Sequence, residues 1–344
     1  MINLYKDYTT KEKDYKDDKA QILKDVNKNG KDNNWKERKL STLDLAESYK
    51  RLGYKKYYRV LDCSTFLEFR LTVSDNLKLT NANFCKVRLC PMCAWRRSLK
   101  IFGQVSKVMD YVEENYDYRY IFLTLTVKNC YGEDLKDTLD LMTHSFSKLS
   151  RRKAFKDAVK GYFRSLEITY NEEMDTYHPH FHLILAVNKN YFTDDKIYLS
   201  QVKWTKLWKQ SLKANYTPIV NVKRIKANND KTYGEAIAET AKYTVKAEDY
   251  LIRDEKGDIK KNLTDKIVDT LDTALHRKRL VSFGFVFKEI HKMLKLDDAE
   301  DGSLEDTDNE DELRDDLTNI ILRYQWNIGI KNYKLVEVVE NKDE

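Results

Sequence analysis

The chain has 344 residues, 41% of them hydrophobic and 34% charged, enough to bury a core for one large domain or two small ones. Its formal charge is +6; ten glycines and three prolines leave little linker material. No run approaches the roughly 20 apolar residues of a membrane span, and the opening MINLYKDYTTKEKDYKDDKAQ lacks the apolar core of a signal peptide, so a cytoplasmic protein with no membrane role is expected.

Residues 1–56 are charged, with apolar positions sparse until LSTLDLAESYKRLGYKKYYRVLDC, and the first forty read as disordered or loosely helical. Residues 57–98 form a Cys-rich module, strands and turns over 57–82 followed by FCKVRLCPMCAWRRSLK. Cys85, Cys90 and Cys93 follow a C-x4-C-x2-C spacing and Cys63 lies 22 residues upstream, a set able to hold a tetrahedral zinc ion. A reducing compartment argues against disulfides, and free thiols are the plain alternative; Cys130 reads as a simple thiol. Arg96 and Arg97, on the basic helix that follows, are placed to meet phosphates.

Residues 99–296 alternate helical and strand periodicity. Helices are expected over 95–114, 133–159, 199–214 and 234–252, and strands over 118–129, 162–171, 178–187 and 219–226. Trp204 and Trp208, four apart, suit a core better than a base-stacking platform. The order suggests an α+β sheet with helices packed on one face. Residues 297–316, DDAEDGSLEDTDNEDELRDD, hold twelve acidic residues and one Arg, a net of −11 that leaves about +17 on the rest of the chain. That run reads as a solvated linker, with a helical C-terminal segment over 317–344. Basic charge interleaved with 23 Tyr and 5 Trp suits nucleic acid, where lysines meet phosphates and rings stack on bases.

Side-chain alternation sorts the strands. In 178–187, His178, His180, His182, Ile184 and Ala186 share one face, and Phe181, Leu183, Leu185 and Val187 the other. Half of the six histidines thus fall within five residues. In 162–171, Ser165, Glu167 and Thr169 oppose Leu166 and Ile168; in 118–129, Phe122, Thr124 and Thr126 oppose Ile121, Leu123, Leu125 and Val127. If these strands are neighbours, Glu167 approaches His180 and His182. Two imidazoles and a carboxylate suit a divalent cation such as Mn²⁺ or Mg²⁺, and His178 competes with Glu167 for the third position. On the 234–252 helix, Glu239 and Tyr243 lie four apart, with Lys246 one turn beyond. A tyrosine hydroxyl attacks phosphorus when a metal polarises the phosphate and a cation steadies the phenolate.

The ordered set FLTLTVKN (122–129), HPHFHLIL (178–185) and EAIAETAKYTVK (235–246) resembles the three motifs of HUH endonucleases, and more narrowly the Rep_1 rolling-circle replication initiators of Gram-positive plasmids. The resemblance runs from about Cys63 to Leu296. It implies a central five-stranded antiparallel sheet with flanking helices. His180-Phe181-His182 would be the metal motif, and Tyr243 the nucleophile that takes a 5′-phosphate and leaves a 3′-OH primer. Glu239 would direct water in the terminating cleavage. The implied partners are plasmid double-strand origin DNA, with a single-stranded or cruciform nick site, and a host helicase and DNA polymerase; a homodimer is left open. A transposase or mobilisation relaxase using the same site, and a non-catalytic zinc-dependent DNA-binding protein, are the alternatives.

Overall fold

The structure is a computed structural model that describes residues 22–26, 30–74, 76–225, 237, 246–307 and 317–340. The chain divides into two compact units, one from residues 1–93 and 304–344, the other from 94–303.

The first unit is assembled from both ends of the chain. Helix α1 (Trp35–Arg51) and short α2 (Tyr57–Asp62) precede strands β1 (Phe66–Thr72) and β2 (Leu77–Ala82). The C-terminal residues, expected to be helical, instead form β8 (Leu317–Asn327) and β9 (Asn332–Glu340), and the antiparallel sheet runs β2-β1-β8-β9. Pairing of β1 with β8 sets Phe69 opposite Leu322 and Leu67 opposite Tyr324. Phe69, Tyr324, Tyr333 and Trp35 are buried there, in edge-to-face aromatic contacts with ring centroids 5.6–6.5 Å apart. One local preference favours strand, the β-branched and aromatic residues of β8; the rest comes from its long-range pairing with β1.

The second unit holds a five-stranded antiparallel sheet, order β6-β3-β5-β4-β7, from β3 (Tyr118–Thr126), β4 (Val159–Asn171), β5 (Thr176–Asn188), β6 (Val220–Ile225) and β7 (Val281–Phe285). Helices cover both faces rather than one. On the face of Leu123, Leu183 and Phe181 lie α4 (Leu135–Arg151), α5 (Lys153–Ala158) and α6 (Gln201–Leu212); Phe146 of α4 and Trp208 of α6 both meet Phe181. The stretch 133–159 is not one helix, because Arg152 takes an extended conformation (ψ 143°) between α4 and α5. Helix α7 (Lys261–Ala274) packs beside α4. Trp204 and Trp208 are fully buried, as their helical spacing predicts.

On the opposite face, α3 (Pro91–Asn115) and α8 (Val286–Met293) cover one half of the sheet. Ile101, Val105, Val108, Met109 and Val112 of α3, at helical spacing, form a core with Tyr120, Phe163, Ile184 and Ala186. Gly161 permits the approach of α8, since a Cβ there would stand 2.5 Å from the Phe287 ring. Covering the apolar half leaves the polar half of the same face, with its histidines, outside this packed cluster.

The acidic run is not a solvated linker at its start. Asp297 accepts hydrogen bonds from Lys100 Nζ (2.7 Å) and Ser303 N (2.8 Å). Glu300 is buried, and its Oε1 accepts from Leu280 N and Val281 N at 2.9 and 3.1 Å. Local composition suggests a mobile segment, but these carboxylates find backbone amides and a buried lysine that the sequence does not place beside them.

Candidate functional site

The register of the central strands brings three acceptors together. His180 of β5 pairs with Glu167 of β4 and Thr126 of β3, while His182 pairs with Ser165 and Thr124. Glu167 Oε2 lies 2.8 Å from His182 Nε2 and 3.3 Å from His180 Nε2. The ligand atoms of Glu167, His180 and His182 all lie within 4.8 Å of one another. Ligands bound at about 2.1 Å and at right angles sit about 3.0 Å apart, so the two carboxylate–imidazole spacings suit a small divalent cation.

The second nitrogen of each imidazole is engaged. His180 Nδ1 lies 3.2 Å from the His178 carbonyl, a contact that orients the ring with Nε2 toward Glu167, where that nitrogen can donate to the carboxylate or, with the proton on Nδ1, bind a cation. His182 Nδ1 meets Thr124 Oγ1 at 3.3 Å. From the far face, Trp208 Nε1–H donates to the Thr126 carbonyl at 2.8 Å and braces β3 behind the site. Burial pushes the Glu167 carboxyl up, but hydrogen bonds from His180 and His182 outweigh it and hold the group well below the usual carboxylate range. Glu167 therefore stays an anion, the form a cation needs.

His178 lies outside this group. Its Nδ1 meets Asn129 Oδ1 at 2.7 Å, and burial, with His180 beside it, lowers its pKa. Lys246 Nζ stands 3.8 Å from Glu167 Oε1. Its backbone N–H donates to Asp249 Oδ2 (3.3 Å) at the start of a 3-10 turn over Ala247–Asp249, so the expected helix does not extend to 252. Tyr243 and Glu239 lie outside the described residues. Ile237, on the other side of Tyr243 in sequence, is buried in the core with Ile184 and Ala186. Of the supporting groups, Thr124 and Thr126 were legible from strand alternation, whereas Asn129 carried no signal beyond its position after a strand.

The four cysteines expected to act together do meet. Cys63 follows α2, Cys85 follows β2, and Cys90 and Cys93 flank the start of α3; all four are buried. Sγ–Sγ distances are 3.6 Å (Cys63–Cys93), 3.6 Å (Cys63–Cys90) and 3.7 Å (Cys85–Cys93). Thiolates tetrahedral about zinc at about 2.3 Å stand about 3.8 Å apart, whereas a disulfide requires about 2.05 Å. Cys85 N and Val87 N donate to Cys63 Sγ (3.3 Å) and Cys85 Sγ (3.4 Å), as suits sulfurs bearing negative charge. These donors and spacings fit a zinc ion. Cys130 is a half-buried thiol apart from the group.

Arg96 and Arg97 are corrected from the sequence expectation. Both are buried, at 3% and 2% exposure, and Arg97 Nε donates to the Glu300 carbonyl at 2.9 Å. Their place on α3 turns both inward, and Arg97 ties the acidic segment to the helix instead of facing phosphate.

No helix among the described residues is long and apolar enough to cross a membrane. No solved structure matches the chain. Residues 76–334 match the family model Rep_1, described as replication protein. The chain is 42% identical to Protein rep of Bacillus amyloliquefaciens over 342 residues, covering 91% of this chain and 97% of that one. It is 41% identical to Protein rep of Streptococcus pneumoniae serotype 2 (strain D39 / NCTC 7466), over 91% of this chain and 95% of the relative. With Protein rep of Lentilactobacillus hilgardii the identity is 39%, over 91% and 98%. A match of this extent, across both compact units, settles the family: the chain belongs to the Rep_1 replication proteins.

Proposed function

We propose that this protein initiates rolling-circle replication of a plasmid by nicking and joining DNA at the double-strand origin. The observation that carries the proposal is the Glu167–His180–His182 group with Lys246 beside it, in a chain whose relatives are replication proteins. Glu167, His180 and His182 would hold Mn²⁺ or Mg²⁺, with His178 outside the ligand set. Such an ion, when bound, supplies Lewis-acid polarisation of a phosphoryl oxygen.

The chain's own groups would do the rest. The Tyr243 hydroxyl attacks phosphorus, forming an O–P bond as the bond to the 3′ oxygen breaks. The strand is then held as a 5′-phosphotyrosine, and the released 3′-OH is a primer. Lys246, its backbone pinned by Asp249, places its ammonium to steady the phenolate or the phosphate. Glu239 would direct water at the terminating cleavage. Lys246, three residues after Tyr243 in sequence, stands at Glu167, and this supports the reading.

The test is incubation with labelled single-stranded origin oligonucleotide and Mn²⁺, read on a denaturing protein gel. A covalent adduct is expected with the intact chain and none with Tyr243→Phe. An adduct that persists in Tyr243→Phe overturns the nucleophile; no adduct with the intact chain at any divalent metal overturns the nicking function.

A further inference from the structure

We propose that the corner between α1 and α2 is a second DNA contact, a platform that holds single-stranded DNA by phosphate charge and base stacking. It shares no residue with the Glu167–His180–His182 site and belongs to the other compact unit. The proposal rests on DNA being the substrate and adds where a strand is gripped apart from the chemistry.

Residues 50–59, KRLGYKKYYR, carry five cations, three tyrosines and no acid. Helix α1 ends there in a rigid turn. Gly53 takes the left-handed conformation (φ 74°), Gly53 N donates to Lys50 O at 3.1 Å, and Tyr54 N to Tyr49 O at 2.9 Å. Those two bonds are the paired closure of a Schellman motif, so the corner is preorganised rather than a loose loop.

The side chains divide between anchoring and presentation. Tyr49 is fully buried, and Lys56 Nζ sits 4.5 Å from its ring and 4.7 Å from that of Tyr54. Arg59 Nη2 donates to the Cys85 carbonyl at 2.6 Å, and Cys63 follows the end of α2, so the cysteine cluster fastens this helix on both sides. Lys50, whose Nζ lies 5.9 Å from the Tyr57 ring, and Lys55 are exposed. Tyr58 is 67% exposed and its ring centroid is 4.1 Å from that of Tyr57.

An aromatic ring backed by a second ring and flanked by cations offers what an unpaired base with its phosphate needs. Paired bases keep their faces inside the duplex, so a double strand could use the lysines but not Tyr58. An acidic protein segment likewise has no use for an open aromatic face. The exposed tyrosine therefore selects the single strand.

The experiment compares the intact chain with Lys50→Gln/Lys55→Gln and with Tyr58→Ser, all at exposed positions. Binding of a fluorescent mixed-sequence single-stranded oligonucleotide is followed by anisotropy across salt concentrations, with nicking of a short origin oligonucleotide measured at saturation. The double lysine variant should bind about tenfold more weakly, with the salt slope reduced by about 1.4, two phosphates at about 0.7 each. Tyr58→Ser should weaken single-strand binding at an unchanged slope and leave duplex binding unaltered. Saturated nicking should be retained in both. Unchanged affinity and slope in the lysine variant overturn the platform, provided the intact chain binds and nicks; failure of the intact chain to nick speaks against the proposed function instead. Loss of duplex binding without any effect of Tyr58→Ser, or displacement of the oligonucleotide by polyglutamate at equal charge, overturns the single-strand assignment.

Discussion

Lys39 carries an ammonium into the interior of the first unit with no exposure to solvent. Its hydrogen bonds go to two carbonyls, of Leu61 at 2.9 Å and of Cys63 at 2.5 Å. Burial pushes its pKa down and the cysteines Cys63 and Cys90 push it back up. A buried cation needs a compensating negative charge, and four thiolates around Zn²⁺ carry a net charge of about −2. Lys39 then offsets part of the charge of the loaded cluster. In protein loaded with Zn²⁺, replacing Lys39 by Met should weaken retention of the ion against a chelator by about tenfold or more, the range seen when outer partners of metal ligands are removed, while Lys39→Arg retains most of it. Zinc content and release rate measured with a colorimetric chelator check this, and a Lys39→Met protein that keeps zinc as firmly as the intact chain would sink it. The cysteines themselves were legible, because their spacing encodes the shared centre. Lys39 was not, being one of many lysines with nothing local to single it out.

At the scale of elements, the alternating strands were the most readable part of the chain. A period of two over 178–187 fixes which residues share a face, and pairing with 162–171 through a short acidic turn fixes Glu167 opposite His180. Composition misled where partners come from afar, as in the acidic segment packed on α3. Burial pushes the Asp297 carboxyl up, yet Lys100 and the Ser303 and Asp298 amides hold it below the usual range. Burial likewise opposes, and the Asp301 and Glu300 amides and Arg279 outweigh, at Asp298. A carboxyl depressed in the folded state stabilises above its unfolded pKa, about 4, and loses that contribution as pH falls through the folded value. The second unit should therefore lose stability as pH drops below about 4, and Asp298→Asn should flatten that dependence at some loss of stability at pH 7. Denaturant midpoints measured from pH 7 down to pH 3 test the pair; an equally steep acid loss in Asp298→Asn would exclude this carboxyl as a source.

Across the whole molecule, the first unit depends on segments more than 240 residues apart in sequence, since Phe66–Thr72 pairs with Leu317–Gln325. Such long-range pairing cannot be read from a local window, and the C-terminal strands were missed for that reason; β9 adds no alternation of its own, its outer half being largely exposed. The sheet also reaches the cysteine cluster. Tyr333 is fully buried, and its hydroxyl donates to the carbonyl of Ser64, the neighbour of Cys63, at 2.8 Å. Ending the chain after Asp316 would remove β8 and β9, strip β1 of one partner strand and expose Phe69 and Trp35. The four-stranded sheet would become a lone hairpin, which is marginal in water. Supplied with Zn²⁺, the truncated protein should not hold the ion that the four-cysteine group fits, and it should yield under limited proteolysis a resistant fragment close to residues 94–303, because the five-stranded sheet keeps all its strands. Zinc retained at one equivalent, or protection of residues 35–93 equal to that in the full chain, would show instead that the cysteine cluster organises the first unit without its C-terminal strands.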